Sequence, residues 1–361
     1  MRIVIVGAGI TGAALAFACA CRGAEVIVVD AGQPASGATG HSFGWVNASF
    51  FLSEAHFALR AAGIEAYRRL CARIDLPVQW AGCLCWENQG PELERQFNEL
   101  KALDYDVEAL DRRAFEALEP HVAPPEQALR FSSEAAVAPA ALTSRLLRAC
   151  GARCLFGCAV LGVEVAGGKV TGVRVPGGLV AADAVVICAG TGAAQLLDPL
   201  GIALPMLSRP GVIVETDPVP PVLSHVCAAP IGEFRQTPSG QIVMPAAVSH
   251  QADTAEEITA TPEHLAEAAI ARLRSLLPGV PLNWRNVALA KRPVPGDGLP
   301  VLGAVGPEGL FTAVMHSGIT LAPLVGELMA ARITEQRMTN AQAQLMAPFS
   351  PERLQETGAG A

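Results

Sequence analysis

The stretch Arg2–Gly12, RIVIVGAGITG, decides the fold of this chain. Its first half is a run of apolar, mostly β-branched residues, which predicts a short buried strand over 2–6. Its second half has glycines at the GxGxxG spacing, and the small apolar residues 13–21 that follow predict a helix. A second apolar strand is predicted over 25–29. This order of strand, glycine turn, helix and strand is typical of a Rossmann-type unit.

Each glycine of the turn has its own task in binding a dinucleotide. Gly7 turns the chain sharply, Gly9 lets the backbone approach a diphosphate, and Gly12 lets the helix pack against the strand. The helix N-terminus then offers free N–H groups and its positive dipole end to the phosphates. Asp30 ends the second strand, where a carboxylate can bind both ribose hydroxyls and repels a 2′-phosphate. The contacts predicted here are Gly7, Gly9, Ile10, Thr11, Gly12, Asp30 and Ala31, and the motif leaves FAD and NAD both open.

The composition narrows the class of protein. The chain has 361 residues, of which 51% are hydrophobic and 17% are charged, so we expect a globular protein with two lobes. The formal net charge is -8, and no run of Lys or Arg is long enough to follow a phosphate backbone. Nucleic acid is therefore not an expected partner. Residues 3–21 are uncharged, but the glycines within them indicate strand and helix, so we expect no transmembrane span.

The ten cysteines are predicted to be reduced thiols of a cytoplasmic protein. No secretory signal precedes them, and a chain of this length does not need disulfides to fold. Four ligands at zinc spacing are absent from the sequence, so no metal site is expected. Cys83 and Cys85 flank Leu84 on a predicted strand, and we expect their thiols to point to opposite faces of that strand.

The residues after Asp30 resemble the D-amino acid oxidase-like flavoprotein superfamily, which includes glycine oxidase, sarcosine oxidase and the D-amino acid dehydrogenases. The loop 35–45, ASGATGHSFGW, has the small and hydroxyl residues that suit backbone wrapped around a cofactor. Residues 134–139 resemble the segment before the family's third helix, and 158–164 the strand whose backbone meets adenosine. Residues 182–191 resemble the strand that ends in a glycine turn beneath the cofactor. The contacts that this resemblance implies are Ser36, Gly37, Thr39, Gly40, His41, Val160, Ala189 and Gly190.

The C-terminal part carries the more specific resemblance. Residues 291–303, KRPVPGDGLPVLG, resemble the family's arginine-proline segment with its aspartate-glycine turn. Residues 316–323, HSGITLAP, resemble the glycine-led helix start that lies against the isoalloxazine ring. Free N–H groups there would stabilise negative charge on reduced flavin, which an NAD enzyme does not need. FAD is therefore the implied cofactor, and the further implied contacts are Gly318, Ile319, Thr320 and Leu321.

The matched segments are separated by long stretches that lack them. We therefore predict an α/β fold in which a Rossmann-type FAD-binding domain is assembled from discontinuous segments, beside a second α+β substrate domain built on a mainly antiparallel sheet. The FAD-binding domain would comprise residues 1–50, 131–205 and 291–345. The substrate domain would comprise residues 51–130 and 206–290, and a C-terminal tail residues 346–361.

Local patterns predict several elements of the substrate domain. Residues 53–74 read as a helix with one apolar face. A second helix is predicted to begin at the cap Thr261 and to end at Pro278. Segments 212–216 and 241–248 are predicted antiparallel strands, joined through the turn Pro238-Ser239-Gly240.

The resemblance implies that the enzyme oxidises the C–N bond of an amino acid or secondary amine to an imine, by hydride transfer to flavin N5. The cofactor carries the electronic step, so the sequence need supply no general base. Arg292 matches the family's carboxylate-binding arginine, whose guanidinium can donate two parallel hydrogen bonds. Arg235, within the predicted substrate sheet, and His316, near the flavin edge, are further candidates for substrate contact. The structural alternatives are an ion pair for Arg292, a solvated strand position for Arg235 and a helix cap for His316.

Three alternatives stay open at this point. Residues 36–41 also resemble the segment of dimethylglycine and sarcosine dehydrogenases whose histidine bonds covalently to flavin, but those enzymes have tryptophan where this chain has Gly40. That departure favours noncovalent FAD beside His41. The protein is also compatible with a flavin-bearing subunit of a multi-subunit amine or opine-type dehydrogenase, which passes electrons to a partner. An NAD-dependent dehydrogenase that uses only the N-terminal unit is the third alternative.

Overall fold

The computed structural model describes residues 1–248, 253–336 and 338–356. The strands are β1 (Arg2–Val6), β2 (Glu25–Asp30), β3 (Trp45–Val46), β4 (Val78–Gln79), β5 (Cys83–Cys85), β6 (Val107–Asp111), β7 (Gln127–Phe131), β8 (Ala135–Val137), β9 (Arg153–Phe156), β10 (Gly162–Ala166), β11 (Lys169–Val175), β12 (Gly178–Ala181), β13 (Ala184–Ile187), β14 (Met206–Leu207), β15 (Pro210–Thr216), β16 (Val226–Ala229), β17 (Gly232–Gln236), β18 (Ile242–Pro245), β19 (Trp284–Lys291), β20 (Val294–Pro295), β21 (Val301–Ala304) and β22 (Leu310–Val314). The α-helices are α1 (Ile10–Ala20), α2 (Glu54–Cys71), α3 (Pro91–Ala102), α4 (Arg112–Leu118), α5 (Pro139–Cys150), α6 (Ala193–Leu197), α7 (Pro262–Leu276), α8 (Gly318–Ile333), α9 (Asn340–Met346) and α10 (Arg353–Glu356). Short 3-10 helices span Gly190–Gly192, Asp198–Leu200 and Ala347–Phe349.

The N-terminal unit folds as a Rossmann-type unit, as predicted. β1 pairs in parallel with β2, and Ile3 lies opposite Val26. α1 begins at Ile10 rather than at residue 13, because Gly12 fits within its first turn against the backbone of Gly7. The uncharged stretch therefore forms one strand and one crossover helix.

A six-stranded sheet is built around this unit in the order β21-β22-β13-β1-β2-β9. Its pairs are parallel except for β21, which is antiparallel to β22. Alternate residues of β1 enter different cores: Ile3 and Ile5 pack on the side of α1 and α8, and Val4 and Val6 on the side of β11. The parallel sheet is covered on both faces, which explains its continuous apolar strands.

An eight-stranded sheet lies beside it in the order β19-β15-β18-β17-β16-β5-β7-β6. Its pairs are antiparallel apart from β16 with β5, so the predicted mainly antiparallel sheet is confirmed. One face packs under α7, with Ala266, Ile270 and Leu273 buried against it. α7 has the predicted cap, because the Thr261 side chain accepts from the backbone N–H of His264.

The predicted connection in this sheet is wrong. β15 and β18 do pair antiparallel, with Val214 opposite Met244, but the turn at 238–240 joins β17 to β18. Two strands, β16 and β17, intervene between β15 and β18 along the chain. β18 ends at Pro245, before the predicted limit. Sequence alternation shows that two segments are strands but not which turn connects them.

The orientation predicted for the two strand cysteines is also wrong. Cys83 and Cys85 belong to one core and Leu84 to the other, because residues two apart on a strand share a face. Burial raises the pKa of the Cys85 thiol to about 12. Within the described residues, no group of three or more His, Cys, Asp or Glu side chains is arranged to hold a metal ion.

Four helices pack against one another: α1 packs against α5 and α8, and α2 packs against α8. α2 spans Glu54–Cys71 after the cap Ser53, within the predicted range 53–74. In the predicted tail, Phe349 is fully buried and Arg353 forms an ion pair with Asp297, while residues 357–361 lie outside the described residues.

None of the helices in the described ranges is long and apolar enough for a membrane span.

The division into an FAD-binding domain and a substrate domain stays a prediction. The six-stranded sheet takes its strands from residues 2–30, 153–187 and 301–314, which supports the three-segment assignment. The strands at 45–46, 78–79 and 135–137 form a separate small sheet across the predicted boundary. The two parts are therefore linked by backbone pairing as well as by side chains.

Candidate active site

A cavity of about 1070 Å³ is lined by residues of both large sheets and by the N-termini of α1 and α8. Single-ligand pockets in proteins are typically ~300–1,000 Å³, so this cavity can hold a dinucleotide and a small molecule. Most of the predicted cofactor residues line it. They are Gly7, Gly9, Ile10, Thr11, Asp30, Ala31, Ser36, Gly37, Thr39, His41, Val160, Ala189, Gly190, Gly318, Ile319 and Thr320.

Three predicted cofactor residues are not part of the cavity lining. A Cβ at Gly12 would lie 2.0 Å from the Gly7 carbonyl oxygen, and one at Gly40 would lie 2.3 Å from the Ala35 oxygen. Both positions therefore need glycine so that backbone can approach backbone. Leu321 is fully buried in the core that surrounds α8. Gly12 and Leu321 are buried, whereas Gly40 is exposed.

The glycine turn forms a narrow backbone cradle at one end of the cavity. Gly7 has φ +114°, and its N–H donates to the Val29 oxygen at 2.8 Å. A Cβ there would lie 2.4 Å from the Cys188 oxygen. Gly9 precedes α1 without a side-chain cap, so the helix presents its N-terminus to the cavity. Such an end binds phosphate groups.

Asp30 lines the same end and holds the turn in place. One of its carboxylate oxygens accepts from the Ala8 N–H at 2.6 Å, and the other accepts from the Gly32 N–H at 2.7 Å. Each carboxylate oxygen retains a second lone pair. The side chain can therefore accept hydrogen bonds from a ligand while it fixes the backbone around Ala8.

Arg292 also lines the cavity. Its guanidinium forms an ion pair with Asp253 at 2.9 Å and donates to the backbone oxygens of Arg209 and Pro210, each at 3.3 Å. Burial lowers the pKa of Arg292, and Asp253 partly offsets this. The side chain lines the cavity while also making the ion pair that the structural alternative predicts.

His316 lies on the cavity wall, and Arg235 does not. The Arg235 side chain is buried, donating from Nε to the Phe43 oxygen at 2.5 Å and from Nη2 to the Val137 oxygen at 3.2 Å. Burial lowers its pKa to about 10. The prediction that Arg235 contacts the substrate is therefore wrong, and so is the alternative that it is solvated. Its side chain instead holds the loop around Phe43 against the sheet.

His41 lines the cavity with its Nδ1 atom 3.0 Å from the Gly37 oxygen. The loop that carries it bends back on itself, because the Gly40 N–H donates to the Ala35 oxygen at 2.9 Å. The Thr39 hydroxyl accepts from the Ile10 N–H at 3.1 Å and so ties the loop to α1. A covalent bond from His41 to flavin stays a prediction.

Residues 2–332 match the sequence profile of the DAO family, described as FAD dependent oxidoreductase. The chain belongs to this family of FAD-dependent oxidoreductases. The match decides between FAD and NAD, which the glycine motif alone leaves open, and removes the NAD-dependent alternative. The cofactor is FAD.

The relatives match between three quarters and nearly all of the chain. A glycine oxidase of Geobacillus kaustophilus is 27% identical over 372 residues, which cover 97% of this chain and 96% of that protein. A D-amino acid dehydrogenase of Allorhizobium ampelinum is 25% identical over 296 residues, covering 75% and 68%. The crystal structure of glycine oxidase from Geobacillus kaustophilus superposes with a TM-score of 0.84 at 24% identity, covering 97% and 98% of the two chains.

The described residues fit FAD. The backbone cradle at Gly7 and Gly9 suits the diphosphate, and Asp30 lies where a ribose would follow. An FAD molecule has its adenosine on one side of the diphosphate and its ring system on the other. With adenosine beside Asp30 and Val160, the ring would occupy the end lined by Trp45 and Gly318.

Two residues that bear on the site were missed at the sequence level: one lines the cavity, and the other pairs with a lining residue. Arg60 projects from α2, is 3% exposed and lines the cavity. Asp253 pairs with Arg292 from the segment before α7. Arg60 lies between Phe57 and Ile64 on the apolar face of α2. A charged residue on such a face is the one feature of the sequence that could have indicated a buried role. No local signal distinguishes Asp253 from other loop acids.

Proposed function

We propose that this FAD-dependent oxidoreductase oxidises the C–N bond of an amino acid or of a secondary amine with a carboxylate group, and forms an imine. The observation that carries the proposal is the Arg292 guanidinium on the wall of the FAD cavity. Glycine oxidase and D-amino acid dehydrogenase among the relatives support the same substrate class.

The charges near Arg292 suit an anionic substrate. Arg60, Lys291 and Arg292 line the cavity, as do the acids Asp30 and Asp198. The three basic side chains would attract an anionic substrate and help to orient it. Bound FAD supplies the hydride acceptor, its N5 atom.

The remaining work of the protein is to hold the substrate. Arg292 would bind the carboxylate through two parallel hydrogen bonds and so restrict the position of the α-carbon. The apolar side chains of Ile213 and Met315 line the cavity and would limit the access of water. We assign no general base, because a neutral amine can transfer hydride directly.

Anaerobic reduction of the bound FAD tests this proposal. The purified protein is mixed with glycine, N-methylated glycines, proline, D-amino acids and opine-like secondary amines, and the flavin absorbance is followed. We expect at least one carboxylate-bearing amine to bleach the flavin. The matching amines without a carboxylate are the control and should react much more slowly. Failure of the whole panel would reject the proposal.

The partner-subunit alternative concerns the electron acceptor and stays a prediction. The isolated chain is given the reducing amine in air, and peroxide formation is measured. Peroxide formed at the rate of flavin reduction supports a simple oxidase. Slow peroxide formation with fast anaerobic reduction supports transfer to a partner subunit or another acceptor.

A further inference from the structure

Arg60 is a buried cation whose direct hydrogen-bond partners are neutral. Its Nε donates to the Asn47 backbone oxygen at 3.1 Å, and its terminal nitrogens contact Asn47 Oδ1 and Ser317 Oγ. In the part of the chain that the structure describes, no carboxylate forms a salt bridge with it. Burial lowers its pKa to about 10, which still leaves it charged at neutral pH.

Glu134 is the acid whose charge acts on Arg60 without a direct contact, and its carboxylate forms hydrogen bonds with other groups. Glu134 accepts hydrogen bonds from Trp45 Nε1 and the Tyr105 hydroxyl, each at 2.8 Å, and from the Ser49 N–H at 3.2 Å. Burial raises the pKa of Glu134 to about 7, so its negative charge is incomplete at neutral pH. Glu134 therefore supports the backbone beside Arg60 without fully balancing the charge of Arg60.

His56 is a second titratable group that responds to the positive charge of Arg60. His56 lies one helical turn before Arg60 on α2, and burial together with the charge of Arg60 lowers its pKa to about 3. It is therefore neutral at neutral pH. A buried charge without a counter-charge is unfavourable, so an anion in the cavity would complete this site.

The position of Arg60 indicates which anion this is. Ser317, which Arg60 contacts, directly precedes the first residue of α8, so the guanidinium and the positive end of the α8 dipole share one end of the cavity. The diphosphate cradle lies at α1, and Arg292 is proposed for the substrate carboxylate. The remaining group that gains negative charge is the flavin ring when it is reduced.

We infer that Arg60 is a cofactor-tuning residue, which supplies a fixed positive charge that stabilises the reduced FAD. Charge near the flavin nitrogens is a direct way for a protein to set the reduction potential. Asn47 and Ser317 position the guanidinium, and α8 adds its dipole in the same direction. The inference rests on FAD as the cofactor and not on the identity of the amine.

The test is the two-electron reduction potential of FAD in the intact holoprotein, measured against reference dyes with a chemical reductant. For Arg60→Gln we expect the equilibrium constant for reduction to fall about tenfold, which corresponds to about 30 mV for a two-electron couple. Arg60→Lys keeps the charge and should lose less than threefold. No amine is needed, so failure of the proposed function would not affect the result.

A second variant covers the case in which Arg60→Gln does not fold. Asn47→Asp has nearly the same shape and places a carboxylate against the intact guanidinium, so it should also lower the equilibrium constant for reduction. Ser275→Ala removes a side-chain hydrogen bond at an exposed residue outside the cavity lining, and should change that constant less than twofold.

An unchanged equilibrium constant in both charge variants would overturn the inference. If KM for the amine then rose with an unchanged potential, Arg60 would be a substrate ligand. If only the melting temperature or FAD affinity fell, Arg60 would be purely structural.

Discussion

Arg292 Nη2 lies 2.9 Å from Asp253 Oδ2, so the arginine proposed to bind a substrate carboxylate already binds a carboxylate of its own chain. Both side chains are largely shielded from solvent, at 12% and 16% exposure. The guanidinium is also held by the backbone oxygens of Arg209 and Pro210. A substrate must therefore compete with Asp253 or share the guanidinium with it.

We expect Asp253→Asn to lower KM for the carboxylate-bearing amine. An ion pair of this kind contributes up to ~1 kcal/mol, so the expected decrease is roughly fivefold. Arg292 should stay in place because its backbone acceptors remain. Steady-state kinetics measure the effect, and Glu256→Gln, which alters the acid 3.4 Å from Arg209, is the control. A higher KM in Asp253→Asn would mean that Asp253 positions the arginine instead of competing with the substrate.

Removal of the Arg292 charge should have the larger effect. Hydrogen bonds to a charged group contribute ~1.5–3 kcal/mol each, so Arg292→Met should reduce kcat/KM for a carboxylate-bearing amine roughly 100-fold or more. Arg292→Lys keeps the charge but loses the paired hydrogen bonds, so its kcat/KM should lie between those of the wild type and Arg292→Met. The flavin spectrum is recorded in parallel to confirm that FAD is bound. Similar kcat/KM values in all three proteins would exclude Arg292 as the carboxylate ligand.

Gly12→Ala should weaken FAD binding because the new methyl group would lie 2.0 Å from the Gly7 oxygen. Overpacking of this kind costs ~1–3 kcal/mol, and the resulting shift would distort the diphosphate cradle. We expect the Kd for FAD, measured by flavin fluorescence, to rise at least tenfold. Gly177→Ala is the matched control, because a Cβ there meets nothing within 4 Å. Equal affinities in the two variants would contradict the packing explanation.

Glu134 should make folding stability fall as pH rises. Its pKa is about 7 in the folded protein and near the usual 4.5 of a glutamate when unfolded, so between these values the folded state keeps a proton that the unfolded state has lost. The fully buried carboxyl then opposes folding by on the order of 3 kcal/mol above pH 7, and by nothing below pH 4. Melting curves between pH 5 and 8 should show a shallower decline in Glu134→Gln. Glu99→Gln, at an exposed glutamate of α3, should keep the wild-type slope.

FAD should leave the protein when it is denatured. The Gly40 backbone packs against Ala35 where covalent relatives have tryptophan, and His41 Nδ1 is near the Gly37 oxygen. After acid precipitation we expect flavin absorbance in the supernatant, for both the wild type and His41→Ala. Colour that stays with the wild-type pellet and leaves the His41→Ala pellet would establish a covalent bond through His41.

The N-terminal unit could be predicted from the sequence because its determinants are local. Gly7, Gly9, Gly12 and Asp30 lie within one short run, in which Gly12 meets the Gly7 backbone and Asp30 accepts from the Ala8 N–H. Hydrophobic periodicity likewise identified α2, and the Thr261-Pro262 pattern identified the start of α7. The connection of β17 to β18 could not be predicted in this way, since strand pairing follows from the whole sheet.

The parts of the site differ in this respect. The glycines of the diphosphate cradle recur at a fixed spacing within one short stretch, so the sequence alone reveals them. The arginine contacts join distant parts of the chain: Arg60 meets Ser317, and Arg292 meets Asp253. Whether an arginine faces a ligand, an acid or a carbonyl is decided by what the fold brings to it. For this reason Arg235 could be recognised as a backbone clamp, and Arg60 as a cavity residue, only when the packed structure was known.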